Sequence, residues 1–142
     1  MTALLDVNVL LALTDPRHLH HEAAHRWFAG AAREAWATRP ITENAFVRVA
    51  SHPGCPNRPG DAAAVLGLLR RLCALPGHTF WADDVSLREA FPPQVALSRG
   101  HVTDLYLVAL AVHHGGRVAT VDQRMAAAAI PGGAAAVEVV DA

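Results

Sequence analysis

The sequence predicts an α/β protein whose mainly parallel sheet is covered by helices on both faces. Short apolar runs rich in alanine, valine and leucine recur along the chain between turn residues, as strands buried on both sides do. Longer stretches with helical periodicity lie between them, so strands and helices alternate. With 142 residues, 52% of them apolar, the chain has the material for one packed core, expected as a single domain over residues 1–142.

The first run, "TALLDV", reads as a buried strand ending at Asp6. After the "TDPRH" turn, an amphipathic helix is expected from about 18 to 33, with Ala24, Trp27, Phe28 and Ala31 on one side and Glu22 and Arg26 on the other. "EAWATRP" reads as a second strand stopped by Pro40, followed by a helix from about 42 to 51 and the loop "HPGCPNRPG". A further helix from about 60 to 75 turns Val65, Leu66, Leu69, Leu72 and Cys73 inward and Arg70 outward. "HTFWAD" is a third strand, and Ser86 and Glu89 in "SLRE" have the spacing of a capping box that opens a short helix. "TDLYLVALAVHHGG" is apolar nearly all round, which marks a buried helix ended by its glycines. "RVATVD" is the fourth strand and "AAVEVVDA" a possible fifth, giving a sheet of four to five strands.

Bulk properties narrow the function classes. A net charge of −1, with all twelve basic residues arginine, leaves no general basic footprint for nucleic acid. No apolar run approaches the ~18 residues of a membrane span. The N-terminal stretch lacks a basic leader and is interrupted by Asp6 and Asn8, so it reads as mature structure. Cys55 and Cys73 form neither a disulfide framework nor a metal spacing, and Cys73 is expected as a buried thiol. A reducing, cytoplasmic setting follows as an expectation.

Two patterns compete for the chemistry. "HEAAH", residues 21 to 25, has the H-E-x-x-H spacing that lets two imidazoles on one helix face share zinc while the glutamate acts as base. The second pattern is a set of acids at strand ends and helix starts. Asp6 ends the first strand, and Glu43 lies in the first helical turn after the second. Asp104 lies in the first turn of the buried helix, and Asp122 ends the fourth strand. In an open parallel sheet, sites form beyond the carboxyl ends of the strands, so all four acids converge on one rim. Singly, each is explained by a helix N-terminus or a turn. As a set they are harder to dismiss, because Asp6 and Asp104 are lone charges in apolar runs and need a partner. An oxygen-only cluster suits Mg²⁺ or Mn²⁺ better than zinc.

The segments "LLDVNVLLAL", "PITENAFVRVAS", "VTDLYLVALAVHHG" and "VATVDQRM" resemble the four signature segments of PIN-domain ribonucleases, particularly the VapC toxins of bacterial toxin–antitoxin pairs. The resemblance runs over nearly the whole chain in the family's order. It implies a three-layer α/β/α sandwich and a Mg²⁺-dependent endoribonuclease, with Mn²⁺ as substitute. The implied catalytic acids are Asp6, Glu43, Asp104 and Asp122. Asp6, Asp104 and Asp122 would hold the metal, and Asn8 and Thr120 would be supporting polar residues. It further implies an RNA substrate, a homodimer and a VapB-type antitoxin. Leu105 stands where relatives carry a small residue, and Gln123 where some carry arginine.

HEAAH then reads as incidental. The extended metzincin pattern fails at Phe28 and Ala31, and taking Glu43 as third zinc ligand would leave Asp6, Asp104 and Asp122 unexplained. His113 and His114 suit the C-terminal dipole of their helix. His101 reads as a loop residue and Arg48 as solvated or ion-paired. A non-catalytic PIN-like binding module is the chief rival to the nuclease.

Overall fold

Strand β1 (Ala3–Leu5) is wholly buried because it lies in the middle of the sheet with a neighbour on each edge and helices on each face. The structure, a computed structural model, describes residues 1–141, with Ala31 described by its backbone alone. β1 pairs in parallel with β2 (Trp36–Thr38) and with β4 (Arg117–Thr120). β3 (His78–Phe80) and β5 (Val137–Val139) complete an all-parallel sheet of order β3-β2-β1-β4-β5. The possible fifth strand is therefore real; Ala142, at the end of its stretch, lies outside the described residues.

The order explains the layers. From β1 the chain steps outward through β2 to β3, then returns to the other side of β1 for β4 and β5. Right-handed crossovers in opposite directions put their helices on opposite faces. One core cluster joins Ala3, Leu5, Trp36 and Ala119 to residues of α1 (Val7–Thr14), α2 (His21–Ala29), α3 (Pro40–Ala50) and α4 (Ala62–Cys73). The other joins Leu4, Ala37 and Val118 to α5 (Leu87–Ala90) and α6 (Val102–His113). Adjacent strand residues thus serve opposite faces, as the strand repeat of two requires.

Several boundaries differ from those the sequence suggests. Val7–Thr14, unassigned between strand and turn, is a helix whose start is set by Asp6, whose carboxylate accepts from the Val7 N–H at 2.7 Å. The expected helix from about 18 to 33 is split, because α2 stops before Gly30 and a 3₁₀ turn, Ala31–Glu34, follows. Ala31, expected on its apolar face, has its side chain outside the described residues. α3 begins at Pro40, whose fixed φ and missing N–H suit a first helical position. Ser86 caps α5 by accepting from the Arg88 N–H at 3.2 Å. Cys73 is half-buried, not enclosed.

α6 is the spine of the second face, buried from Leu105 to Ala111. Its end is a Schellman motif: Gly116 N–H donates to Ala111 and Gly115 N–H to Val112, with Gly115 at φ 69°. Between the layers, the Arg39 guanidinium is 1% exposed, pairs with Asp83 at 3.1 Å and lies 5.4 Å from the centre of the Tyr106 ring. No helix among the described residues is long and apolar enough to cross a membrane.

Asp83 also accepts from the Ile41 N–H, so it ties the start of α3 to the segment after β3. Asp83→Asn leaves a buried guanidinium without its counter-charge. Because Asp83 retains some contact with solvent, the loss is below that of a fully buried pair, about 2 kcal/mol in urea unfolding near neutral pH.

Candidate active site

Strand order places the site before any side chain is considered. The chain reverses its direction of travel across the sheet between β1 and β4, and the crevice at such a point opens at the strands' carboxyl ends. Asp6 directly follows β1, and Asp122 lies two residues beyond β4. The Asp6 N–H donates to the Ala119 carbonyl at 2.9 Å, which carries the ladder to the rim. Asp104 is in the first turn of α6, the helix packed on β4.

One buried hydroxyl organises this rim. Thr120, fully buried, donates its hydrogen to Asp6 Oδ2 at 2.9 Å. Thr120 Oγ1 in turn accepts from Asn8 Nδ2 at 3.0 Å and from the Asp122 N–H at 3.0 Å. Asn8 Oδ1 accepts from the Val121 N–H at 3.1 Å, which fixes the amide's orientation. Asp122 Oδ1 accepts from the Arg124 N–H at 2.8 Å. The two supporting polar residues are therefore joined to each other, to Asp6 and to the backbone of Asp122.

The acids are electrically strained. Burial pushes the Asp6 carboxyl above its ordinary 3.8; the bonds from Thr120 and Val7 oppose this, and Asp104 and Asp122 add to it. Burial also raises Asp104, with Asp122 adding repulsion and His101 pulling the other way. His101, expected in a loop, ends the 3₁₀ turn Arg99–His101 that leads into α6; bonded to Ser98, it is near enough to Asp104 to act on it. Asp6, Asp104 and Asp122 share one field, and no arginine figures among the causes of these shifts.

Glu43 belongs to a neighbouring network. Its Oε2 accepts from Thr38 Oγ1 at 2.9 Å, and Thr38 Oγ1 lies 2.7 Å from His78 Nε2. With the hydroxyl hydrogen spent on Glu43, His78 presents Nε2–H to Thr38. Burial lowers the His78 pKa, while Glu43 pulls it back up. Glu43 also faces an open groove that it shares with Pro40, Asn44, Val47 and Arg48. Sequence reading missed Thr38 and His78; the signal was a threonine ending a strand five residues before the acid. Among the described residues, no three of the four acids bring carboxylate oxygens within 4.8 Å of one another. Uncompensated carboxylates repel, and a divalent cation fits this donor set by supplying the missing positive charge.

HEAAH has a different task. His21 Nδ1 lies 2.7 Å from the Ala12 carbonyl and His25 Nε2 2.8 Å from that of Leu13, so both rings donate to the last turn of α1. Those carbonyls have no helical partner of their own. Glu22 points to solvent. The spacing that suits zinc also lets two rings on successive turns cap one neighbouring helix. An apolar groove lined by His25, Phe28, Arg33, Leu75 and Gly77 opens near this face and includes none of the four acids.

This fold, with carboxylates at the switch point, agrees with comparison to known proteins. Residues 3–131 match the PIN domain, and the chain belongs to the PIN-domain family. It is 44% identical over 134 residues to Ribonuclease VapC39 of Mycobacterium tuberculosis, covering 93% of this chain and 96% of that one. It is also 46% identical over 136 residues to Ribonuclease VapC44 of the same organism, with 93% and 94% covered. Ribonuclease VapC38, again from Mycobacterium tuberculosis, is 46% identical over 123 residues, 84% of each chain.

Two measurements test these assignments. His21→Ala removes the donor to Ala12 and costs about 1 kcal/mol, whereas exposed Glu22→Ala stays within about 0.5 kcal/mol in thermal melts. Asp6 and Asp104 titrate above 3.8 in the folded chain, so between 3.8 and their raised values the folded state holds more protons than the unfolded one. EDTA-treated protein is therefore relatively more stable at the acid side and loses that stability as pH rises through the folded pKa values. Asp104→Asn flattens this slope and raises the neutral-pH Tm by about 1–3 °C.

Proposed function

We propose that this protein is a VapC-type endoribonuclease that hydrolyses RNA phosphodiester bonds at the Asp6–Asp104–Asp122 rim with Mg²⁺, or Mn²⁺ in its place. The observation that carries the reading is the pair of raised, half-buried carboxyls at the switch point, held by Thr120 and facing a third acid without an arginine among the charges that shift them. Both acids stand at helix starts, and the Val7 N–H partly compensates Asp6, yet burial and repulsion among the three acids still leave both carboxyls raised. The relatives' designation as VapC ribonucleases supports the substrate class.

Asp6, Asp104 and Asp122 would hold the cation, which when bound supplies a Lewis acid for phosphate and a lowered pKa for water. The remaining chemistry belongs to the chain. Thr120 and the Val7 N–H each engage one oxygen of Asp6, so its carboxylate is aimed before any ligand arrives. The Arg124 N–H turns Asp122 by Oδ1 and leaves Oδ2 without a protein donor among the described residues. Glu43, hung on Thr38 by Oε2, offers Oε1 to accept a proton from attacking water. The groove beside Glu43 gives an extended strand room to lie along α3, past Arg48. A VapB-type antitoxin and a homodimeric assembly complete the proposal.

A non-catalytic binding module is the second reading, because among the described residues no three of the four acids bring ligand atoms within 4.8 Å of one another. One set of measurements separates the two. EDTA-treated protein is expected to be inactive on RNA and to regain cleavage with Mg²⁺ or Mn²⁺. Asp104→Asn is expected to lose more than about a hundredfold in rate while remaining folded, a greater loss than that typical of an outer-shell partner. Thr120→Val, which keeps the shape and removes the hydroxyl, is expected to lose about 10–100-fold. Normal cleavage by Asp104→Asn, or no metal-dependent cleavage by the wild type, would overturn the nuclease reading at this site.

A further inference from the structure

The proposed nuclease leaves unused a second cluster of ligand-bearing side chains, at the other end of α6. Asp84, His113 and His114 each present one ligand atom, and all three lie within 4.8 Å of one another. His113 is in the last turn of α6 and His114 caps it. Adjacent residues on a continuous helix do not face each other. Here the helix stops at the Gly115 turn, and the two rings come to 5.2 Å between centroids, nearly perpendicular. Asp84 arrives from the segment that follows β3 and places Oδ1 at 3.2 Å from His114 Nε2.

His114 is also held in place. Its ring stacks on Trp81, with centroids 4.4 Å apart and planes 11° from parallel. Trp81 is itself buried in the second core cluster, against Gly116, where a side chain would collide with the Thr2 carbonyl and the indole. The stack holds the imidazole plane while Nε2 meets Asp84. A cation bound there would displace the proton that His114 Nε2 and Asp84 share, since a ligating imidazole is neutral at the bonded nitrogen.

We infer that Asp84, His113 and His114 form a surface site for a borderline transition cation of the Zn²⁺ class. Two donors bonded to one zinc at ~2.0–2.1 Å stand about 3.3 Å apart, which His114 and Asp84 already match. His113 is exposed and can close by side-chain rotation, leaving water for the fourth position. Two imidazoles and one carboxylate favour zinc, nickel or copper over magnesium, the converse of the all-carboxylate rim. The sites also lie apart, because Asp104 and His113 are nine residues along one helix, about 13 Å. Bound metal would tie the segment after β3 to the end of α6.

Zn²⁺ titration calorimetry on EDTA-stripped protein, in buffer holding millimolar Mg²⁺ to occupy the carboxylate rim, tests the inference. One Zn²⁺ per chain is expected. Asp84→Asn and His113→Gln, both exposed changes, are expected to weaken it by at least about tenfold, while the His21→Ala, His25→Ala double variant binds as the wild type does. Cu²⁺ is expected to quench part of the tryptophan fluorescence through Trp81, and His113→Gln to abolish that quench. RNA cleavage with Mg²⁺ should be the same in Asp84→Asn, His113→Gln and wild type, so the zinc result stands or falls independently of the nuclease reading. Absence of saturable Zn²⁺ binding, binding unaltered in both variants, or binding lost in the His21, His25 double variant overturns it.

Discussion

The Thr120 hydroxyl is the point on which the rim depends. It is a single buried oxygen that donates to Asp6 and accepts from Asn8 and the Asp122 backbone. Those bonds join the end of β1, the first turn of α1 and the turn after β4. Without such a hub, two adjacent parallel strands would each end in an acid free to turn from the other, since like charges gain by separating. The hydroxyl makes one carboxylate an acceptor of its hydrogen and anchors the backbone of the next. Strain at the rim is thereby retained instead of relaxed.

The same logic explains why α6 is so apolar. A helix that covers β4 and also delivers an acid to the crevice has polar work only at its ends. Its middle, Leu105 to Ala111, is buried, while Asp104 stands at the N-terminus and the two histidines at the C-terminus. The Schellman turn at Gly115 fixes where the helix stops, and so which face His114 shows to Trp81. Two chemically different ends on one rigid rod keep an oxygen-rich and a nitrogen-rich environment from merging.

Much of the architecture was legible because burial on both faces leaves a plain signature in composition. The strands at "ALL", "WAT" and "RVAT" are short and apolar and fall where apolar runs meet turn residues. The α1 helix was not legible, since VNVLLALT, apolar but for Asn8 and Thr14, carries too little periodicity to separate helix from strand. The break at Gly30 was equally hidden inside an amphipathic pattern that continues beyond it. Of the candidate site, the identity of the acids and their positions at element ends could be read locally. The roles of Thr38 and His78 could not, because His78 is forty residues from the threonine it meets.

HEAAH shows the division most sharply. The sequence alone determined that two histidines would share one helix face, because 3.6 residues per turn requires it. It also determined that the chain would be α/β with acids at strand ends and helix starts. Only the tertiary structure decided what stood opposite that face: the Ala12 and Leu13 carbonyls of α1. It likewise decided that Asp6, Asp104 and Asp122 share one field while Glu43 answers to Thr38, and that adjacent His113 and His114 converge with Asp84. Local sequence sets which way a side chain points along its own element. What it meets depends on strand order and helix ends, which arise from pairing between distant segments.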